Sequence, residues 1–405
     1  MAVAQGRKLL AEYGSPLYVY EGDRLRQTID FITQSIPHPN THFRFASVTN
    51  GNIALLRIFK ESGWGLHANT PGDIYLGLQA GFAPEAIVYS GSNLNRAEMA
   101  QLFEWGVSAL NLDSLSQLQL CCNLHQALPE ADKLPLQLGL RLNEPSLTGN
   151  SRIGVRPEAF SKAVLLAQSA QLSISGLHFY RGTGTNATRA FTQVVDRVLD
   201  IAQQLPNWRY LDFGGGFGYP YRHGGTAFDW AEFGQVLSGK LARRAVELVI
   251  EPGRAAIAGC ATLLTTVVSV KWQGDKQIVG TDTTVANLSV PSVHGGYREI
   301  AMLEAAEPSR LDCEPRYKTD VCGNTTYSRD YLGQGCLLPK LEIGDVLAIL
   351  DVGAYGYAMS SHFLHRPRPA EVLLEGGQHR LIRRREDYSA LLANQIVNQK
   401  VKAGE

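Results

Sequence analysis

Between residues 42 and 251, short β-rich runs alternate eight times with helix-sized segments, and this alternation limits the fold more than any single motif. The strand candidates are HFRFASV (42–48), GWGLHA (63–68), AIVYS (86–90), VSALNL (107–112), LQLGLRL (136–142), SISGLHF (173–179), WRYLDF (208–213) and ELVIE (247–251). Segments between them, such as IALLRIFKES and FTQVVDRVLDIAQQL, repeat their apolar residues at helical spacing. Strands joined by crossovers of that length are parallel. Eight such units in about 210 residues predict a closed parallel (β/α)8 barrel of the TIM type. An open doubly wound sheet is the alternative, but it usually has fewer strands, and the glycine-rich turn here comes late, after the seventh.

After Arg254 the pattern changes to ATLLTTVVSVKW, KQIVGTD, DVLAILDVGAYG and PAEVLLEGGQHRLIRR, which are β-rich with few helical periods between them. A mainly antiparallel β-domain is therefore expected from 256 to 405, behind a barrel spanning 39–255. The early segment SPLYVYEG, within 1–38, is expected to supply one strand to that β-domain. Two cores suit 405 residues. Lys plus Arg balances Asp plus Glu at 38 each, so no net field draws nucleic acid or an anionic membrane. No apolar run approaches the ~20 residues of a membrane span, and MAVAQGRKLLAEYGSP lacks the apolar centre of a secretory signal. Six cysteines occur without a C-x-x-C, and Cys121 adjoins Cys122. A disulfide framework, a zinc centre and thioredoxin-type chemistry are all disfavoured, so no metal site is expected and a reducing cytoplasm fits.

Five segments in order, SPLYVY, GLHFYRGTGT, LDFGGGFGYPY, VIEPGRA and DVGAYGYAMSSHFLHRPRPAEVLL, carry a resemblance that covers nearly the whole chain. It resembles the fold-type III decarboxylases that use pyridoxal phosphate (PLP), the diaminopimelate and ornithine decarboxylase group, whose barrel is alanine racemase-like. The resemblance implies that Gly214, Gly215 and Gly216 form half of a phosphate cup, with Gly253 and Arg254 as the other half and Tyr355 reaching it from the β-domain. Glycines after a barrel strand let backbone N–H groups approach a phosphate; a plain tight turn is the alternative. Glu251 matches the glutamate that keeps the pyridine nitrogen protonated, or else is a mouth carboxylate paired with Arg254. His178 and Thr183 match the first histidine and the serine of the family's His-x-His-Ile-Gly-Ser segment. The resemblance also implies a head-to-tail homodimer with Cys322 and Tyr355 offered to the partner.

The pattern breaks at catalysis. The family's Tyr-Ala-x-Lys-Ala-Asn motif corresponds to Phe45-Ala46-Ser47-Val48-Thr49-Asn50, so Val48 stands at the Schiff-base lysine. The acid of the second barrel strand aligns with His67, the ring-stacking histidine with Tyr180, a substrate-anion arginine with Val290 and its neighbouring tyrosine with His294. The cysteine of Cys-Glu-Ser is kept as Cys322, followed by Gly323 and Asn324. His67 is either a new acid–base group or a satisfied histidine at the barrel mouth. Tyr180 can stack on a planar ring as histidine does. Arg181 either meets an anion or ties down its strand, and Cys322 is either a substrate-contacting thiol or an inert one.

Three functions compete. The favoured one is a divergent decarboxylase-like enzyme that binds PLP without a covalent link and acts on an amino acid or conjugate other than diaminopimelate or ornithine. Its proton donors would come from His67, Tyr180, His294 or Cys322. The others are a non-catalytic regulatory homologue, and a barrel that reuses the phosphate cup for a different phosphorylated ligand.

Overall fold

A computed structural model of the chain describes residues 3–182, 184–304 and 315–396. It divides into two units, 24–257 and the combination of 1–23 with 258–405. The first division thus falls at 23 where the sequence put it at 38, because the amphipathic helix Gly22–Gln34 groups almost wholly with the barrel residues that follow it.

The first strand, β1 (Leu17–Glu21), belongs to the second unit. The barrel is made of β2 (Thr41–Ala46), β3 (Gly65–Ala68), β4 (Ile87–Tyr89), β5 (Ala109–Leu112), β6 (Gln137–Arg141), β7 (Ile174–His178), β8 (Tyr210–Asp212) and β9 (Glu247–Ile250). Each pairs in parallel with the next, and β9 closes on β2 through His42 opposite Val249. All eight expected strands are present. Their apolar runs are buried on both faces, as a barrel wrapped in helices requires.

Local chemistry sets where the helices begin. Asn52 caps Ile53–Glu61 by accepting from the Ala54 N–H, and that helix buries Leu55, Leu56, Ile58 and Phe59. Phe59 stacks on Phe45 of β2 with centroids 3.7 Å apart. Thr70 and Asp73 form a capping box at Pro71–Ala80, which ends on Gly81 in the left-handed region. Behind the turn after β8, an aromatic cluster of Phe213, Phe217, Phe191, Phe228, Trp230 and Phe233 packs with centroids as close as 4.6 Å. At about 0.5–1.5 kcal/mol per aromatic pair beyond area burial, the cluster holds that turn rigidly against the barrel wall.

In the second unit β10 (Ala261–Gln273), β11 (Lys276–Thr281), β12 (Ile300–Glu304), β13 (Arg316–Cys322), β14 (Tyr331–Pro339), β15 (Val346–Ile349), β16 (Ala370–Glu375) and β17 (Gln378–Arg383) join β1 in one nine-stranded sheet. Pairing is antiparallel except for β1 with β16 and β11 with β13. β1 lies between β10 and β16, as expected of SPLYVYEG. Leu17 and Val19 sit in a core with Leu9, Leu264, Ala348 and Val372. Strands β12 to β14 escaped the sequence reading; RYKTDVC, for one, carries three charged residues among its seven and lacks a long apolar run.

Candidate active site

Three strand ends converge at the C-terminal mouth of the barrel. His67 lies near the end of β3, His178 ends β7, and Glu251 follows β9; they are 8%, 1% and 2% exposed. His178 Nε2 is 3.3 Å and His67 Nε2 is 3.5 Å from the same atom, Glu251 Oε2, and the two rings lie nearly parallel. The other oxygen, Oε1, is buried without an N–H donor, and the carboxyls of Glu251 and Asp212 hydrogen-bond one another. His67 is held by its strand: Ser47 Oγ donates to its carbonyl at 3.0 Å and also reaches Asp73 Oδ1, tying β2 to the capping box.

Burial dominates the protonation states here. It lowers His178 to about 4, and lowers His67 well below its ordinary value with help from His178 and two arginines. The contacts to Glu251 are therefore made by neutral imidazoles and are not ion pairs, although their distances would allow that description. Burial pushes Glu251 up to about 7, with Asp212, Arg44 and Arg141 pulling the other way. Asp212, at the end of β8, is raised well above the carboxylate range by burial and by the Glu251 charge. Its oxygens accept from the Gly214 N–H at 2.9 Å and from Asn111 Nδ2 at 3.0 Å. Arg141, ending β6, lies over the Tyr180 ring at 5.3 Å from its centroid.

The turn after β8 has no room for side chains. Gly214 (φ +64°) and Gly216 (φ +95°) adopt left-handed conformations, and a Cβ would stand 2.2 Å from the Phe179 carbonyl and 2.1 Å from the Gly182 carbonyl respectively. Gly184 donates its N–H to the Gly216 carbonyl at 3.0 Å, so the loop after β7 crosses the glycine turn. Arg254 borders that crossing, with its guanidinium against Gly184 and 3.3 Å from the Tyr221 hydroxyl. A Cβ on Gly253 would approach Thr49 Cγ2 to 2.7 Å, which packs the second half of the expected cup against the end of the first barrel strand.

Val48 sits in the short helix Ser47–Thr49 directly after β2, 42% exposed. The barrel unit contains four lysines, and none is at the mouth. Lys60 ends an outer helix with its amine near Gly81, Lys133 pairs with Glu130, Lys240 pairs with Asp196, and Lys162 is exposed on Phe160–Ser169.

The structure thus gathers His67, His178, Tyr180, Gly214, Gly215, Gly216, Glu251, Gly253 and Arg254 on one face of the barrel. Thr183 lies outside the described residues. Cys322, His294 and Tyr355 belong to the β-unit. Cys322 ends β13, where burial and the carboxylates of Asp320 and Asp330 raise its thiol to about 11, so it is protonated at neutral pH. His294 is exposed at the end of the Val290–Val293 turn of helix. Tyr355 holds a left-handed φ of +58° in the DVGAYG loop, a conformation rare for an aromatic residue. Arg181 donates to the carbonyls of Ala190 and Leu147, so it ties the loop after β7 down. The sequence reading missed Arg141, Asp212 and Asn111. Asp212 had a signal, as the only acid in LDFGGGFG, but Arg141 and Asn111 had none, being isolated polar residues in apolar strands.

A barrel mouth lined by a glycine-rich turn, a bordering arginine and a buried glutamate is what the fold-type III class would present. The pyridoxal-binding domain of the pyridoxal-dependent decarboxylases matches residues 23–258. The chain is 33% identical over 414 aligned positions to a diaminopimelate decarboxylase of Methanothermobacter thermautotrophicus, covering 97% of this chain and 94% of that one. It is 30% identical to the diaminopimelate decarboxylase of Escherichia coli K12, covering 96% of each. The crystal structure of a Helicobacter pylori diaminopimelate decarboxylase complexed with L-lysine superposes with a TM-score of 0.86 at 25% identity, covering 96% of this chain and 98% of that one. The chain belongs to the pyridoxal-dependent decarboxylase family, whose cofactor is PLP.

The residues present fit that cofactor at both ends. The orphaned Glu251 Oε1 is an acceptor in want of a ring N–H, and the glycine turn offers backbone where any Cβ would intrude. No helix among the described residues is long and apolar enough to cross a membrane.

Proposed function

We propose that this protein binds PLP without a covalent link and promotes decarboxylation of an amino acid, or amino-acid conjugate, other than diaminopimelate or ornithine. The observation that carries the reading is Glu251: a buried carboxyl with one oxygen against two neutral imidazoles and the other without an N–H donor. Burying such a group without a partner costs about 1–3 kcal/mol or more, a cost that a bound pyridine N–H would remove.

When bound, the cofactor supplies an electron sink for the pair released as carbon dioxide leaves. The chain's own residues do the rest. The Gly214–Gly216 turn, Gly253 and Arg254 hold the phosphate. His178 Nε2 hydrogen-bonds Glu251 Oε2 and His67 Nε2 stands 3.5 Å from the same oxygen, which orients the carboxyl and leaves Oε1 to accept from the ring. Tyr180 offers a flat face, held by the Arg141 guanidinium. Without a lysine amine at residue 48, release and exchange of the cofactor are not tied to breaking a bond to the protein. Val290, at the position of the family's anion-binding arginine, is 7% exposed and brings no cation, which supports a substrate lacking that anion. The resemblance further supports a head-to-tail homodimer, which a solution mass measurement tests.

The test is a titration of cofactor-stripped protein with PLP, read by near-ultraviolet absorbance before and after borohydride. Saturable binding without covalent trapping, weakened by Glu251→Gln, is expected and justifies screening amino acids for carbon dioxide release. Trapping on a native lysine would refute the non-covalent reading. Absence of binding would leave the regulatory homologue and the repurposed cup.

A further inference from the structure

We propose that His67, His178 and Glu251 form a site for one divalent first-row transition ion of the zinc or ferrous class, and that this ion and PLP are alternative occupants of the barrel mouth. The ion site stands on the geometry alone; only the competition rests on the cofactor reading.

The donor set is two imidazoles and one carboxylate, a combination that holds catalytic zinc and non-haem iron with positions left open. Each ligand comes from a different strand end, β3, β7 and β9, where the barrel frame fixes it. The three donor atoms lie within 4.8 Å of one another. Metal–nitrogen and metal–oxygen bonds of about 2.0–2.2 Å place neighbouring tetrahedral ligands about 3.4 Å apart. The observed separations of Glu251 Oε2 from His178 Nε2 and His67 Nε2 are 3.3 and 3.5 Å. A direct hydrogen bond to a carboxylate would draw each nitrogen to about 2.7–2.9 Å, so both contacts are long for hydrogen bonds and match two edges of a coordination tetrahedron, the third, between the imidazoles, lying within 4.8 Å.

A second observation is independent of those distances. Glu251 Oε1 and both Nδ1 atoms are buried with no hydrogen-bond partner, and His67 Nε2 also lacks one. Buried polar atoms without partners are rare. Of these atoms a central cation would give His67 Nε2 its partner, while also binding Oε2 and His178 Nε2. The surrounding charge gives no help: Arg141 and Arg44 oppose a cation, and Asp212, raised well above the carboxylate range, keeps its proton, so the site depends on its three donors. Ligating histidines usually donate their other N–H to a protein acceptor, and losing such a partner weakens a site by about 10–100-fold. With neither Nδ1 so paired, the site is expected to be exchangeable rather than permanently filled. The sequence reading expected no metal because it looked for ligands at close spacing; His67, His178 and Glu251 are spread over most of the barrel.

The shared ligand makes the competition. A cation on Glu251 repels a protonated pyridine nitrogen at the same carboxylate, so ion and cofactor exclude each other.

The test titrates cofactor-free protein with Co2+ as a coloured probe, then adds PLP. One equivalent is expected to bind with the visible absorption of a four- or five-coordinate ion. His67→Gln and His178→Gln should each weaken binding at least about tenfold, while His223→Gln, on an exposed loop, leaves it unchanged. Saturating PLP should bleach the band. In case a variant misfolds, X-ray absorption of the wild-type Zn2+ complex gives a separate reading, expected to show two imidazoles in the first shell. A shell without imidazole, or Co2+ binding that survives both substitutions, overturns the site. A His67-dependent band that PLP does not affect overturns the shared occupancy. Protein that binds PLP but not Co2+ loses this inference and keeps the cofactor reading, and the opposite result does the reverse.

Discussion

Replacing Glu251 by glutamine should expose a pH dependence of stability that the native carboxyl conceals. Burial lowers His178 from 6.5 to about 4, so below pH 6.5 the unfolded chain takes up a proton that the folded one refuses. Stability from this group is complete above pH 6.5 and is lost as pH falls toward 4. Glu251 acts in the opposite sense. Raised from 4.5 to about 7, it keeps its proton in the fold where the unfolded chain has lost it. Its stabilisation is complete below pH 4.5 and is lost as pH rises toward 7. Each shift amounts to about 3 kcal/mol across its full window, and the windows overlap between 4.5 and 6.5. From pH 6.5 down to pH 5.0, the linkage relation gives a loss from His178 and a gain from Glu251 of similar size, each on the order of 1–2 kcal/mol. His67, lowered by the same burial, adds to the loss in both proteins. The Glu251→Gln variant should therefore lose about 2 kcal/mol more than the wild type over that interval. Denaturant unfolding of cofactor-free protein, followed by tryptophan fluorescence, measures it. Four of the five tryptophans, Trp64, Trp105, Trp208 and Trp230, lie in the barrel unit, so the signal reports the right domain. Equal shifts of midpoint in the two proteins would show that Glu251 is ionised throughout, and the electrostatic account of the site would fail.

Two further outcomes follow from the geometry. Val48→Lys should convert reversible PLP binding into binding that borohydride traps with a gain in mass, because residue 48 is exposed enough to accept the longer side chain; binding without trapping would show that the lysine position has been placed wrongly. Gly215→Ala would put a Cβ 2.5 Å from the Glu251 carbonyl, so thermal unfolding should report a loss of about 1–3 kcal/mol and absorbance titration a weaker affinity for PLP; an unchanged affinity would remove this turn from the phosphate site.

The sequence alone determined the barrel, because each strand announces itself locally through a short β-rich run and each crossover through a helical period. It also made legible the contiguous segments from which the candidate site is read, the glycine turn and the Glu251-Pro252-Gly253-Arg254 corner. The strands of RYKTDVC and its neighbours were not legible, since their burial comes from pairing partners remote in the chain. Nor was the purpose of His67. Read along the chain it is one histidine in an apolar strand, open to several roles. Only the closing of β3, β7 and β9 into one ring puts its Nε2 and that of His178 on a single oxygen of Glu251. The same closure excludes water, which is what makes those imidazoles neutral and keeps that carboxyl half-protonated near pH 7. Residue identity is written in the sequence, whereas distance and dielectric, which decide what a titratable group does, exist only once the barrel has closed.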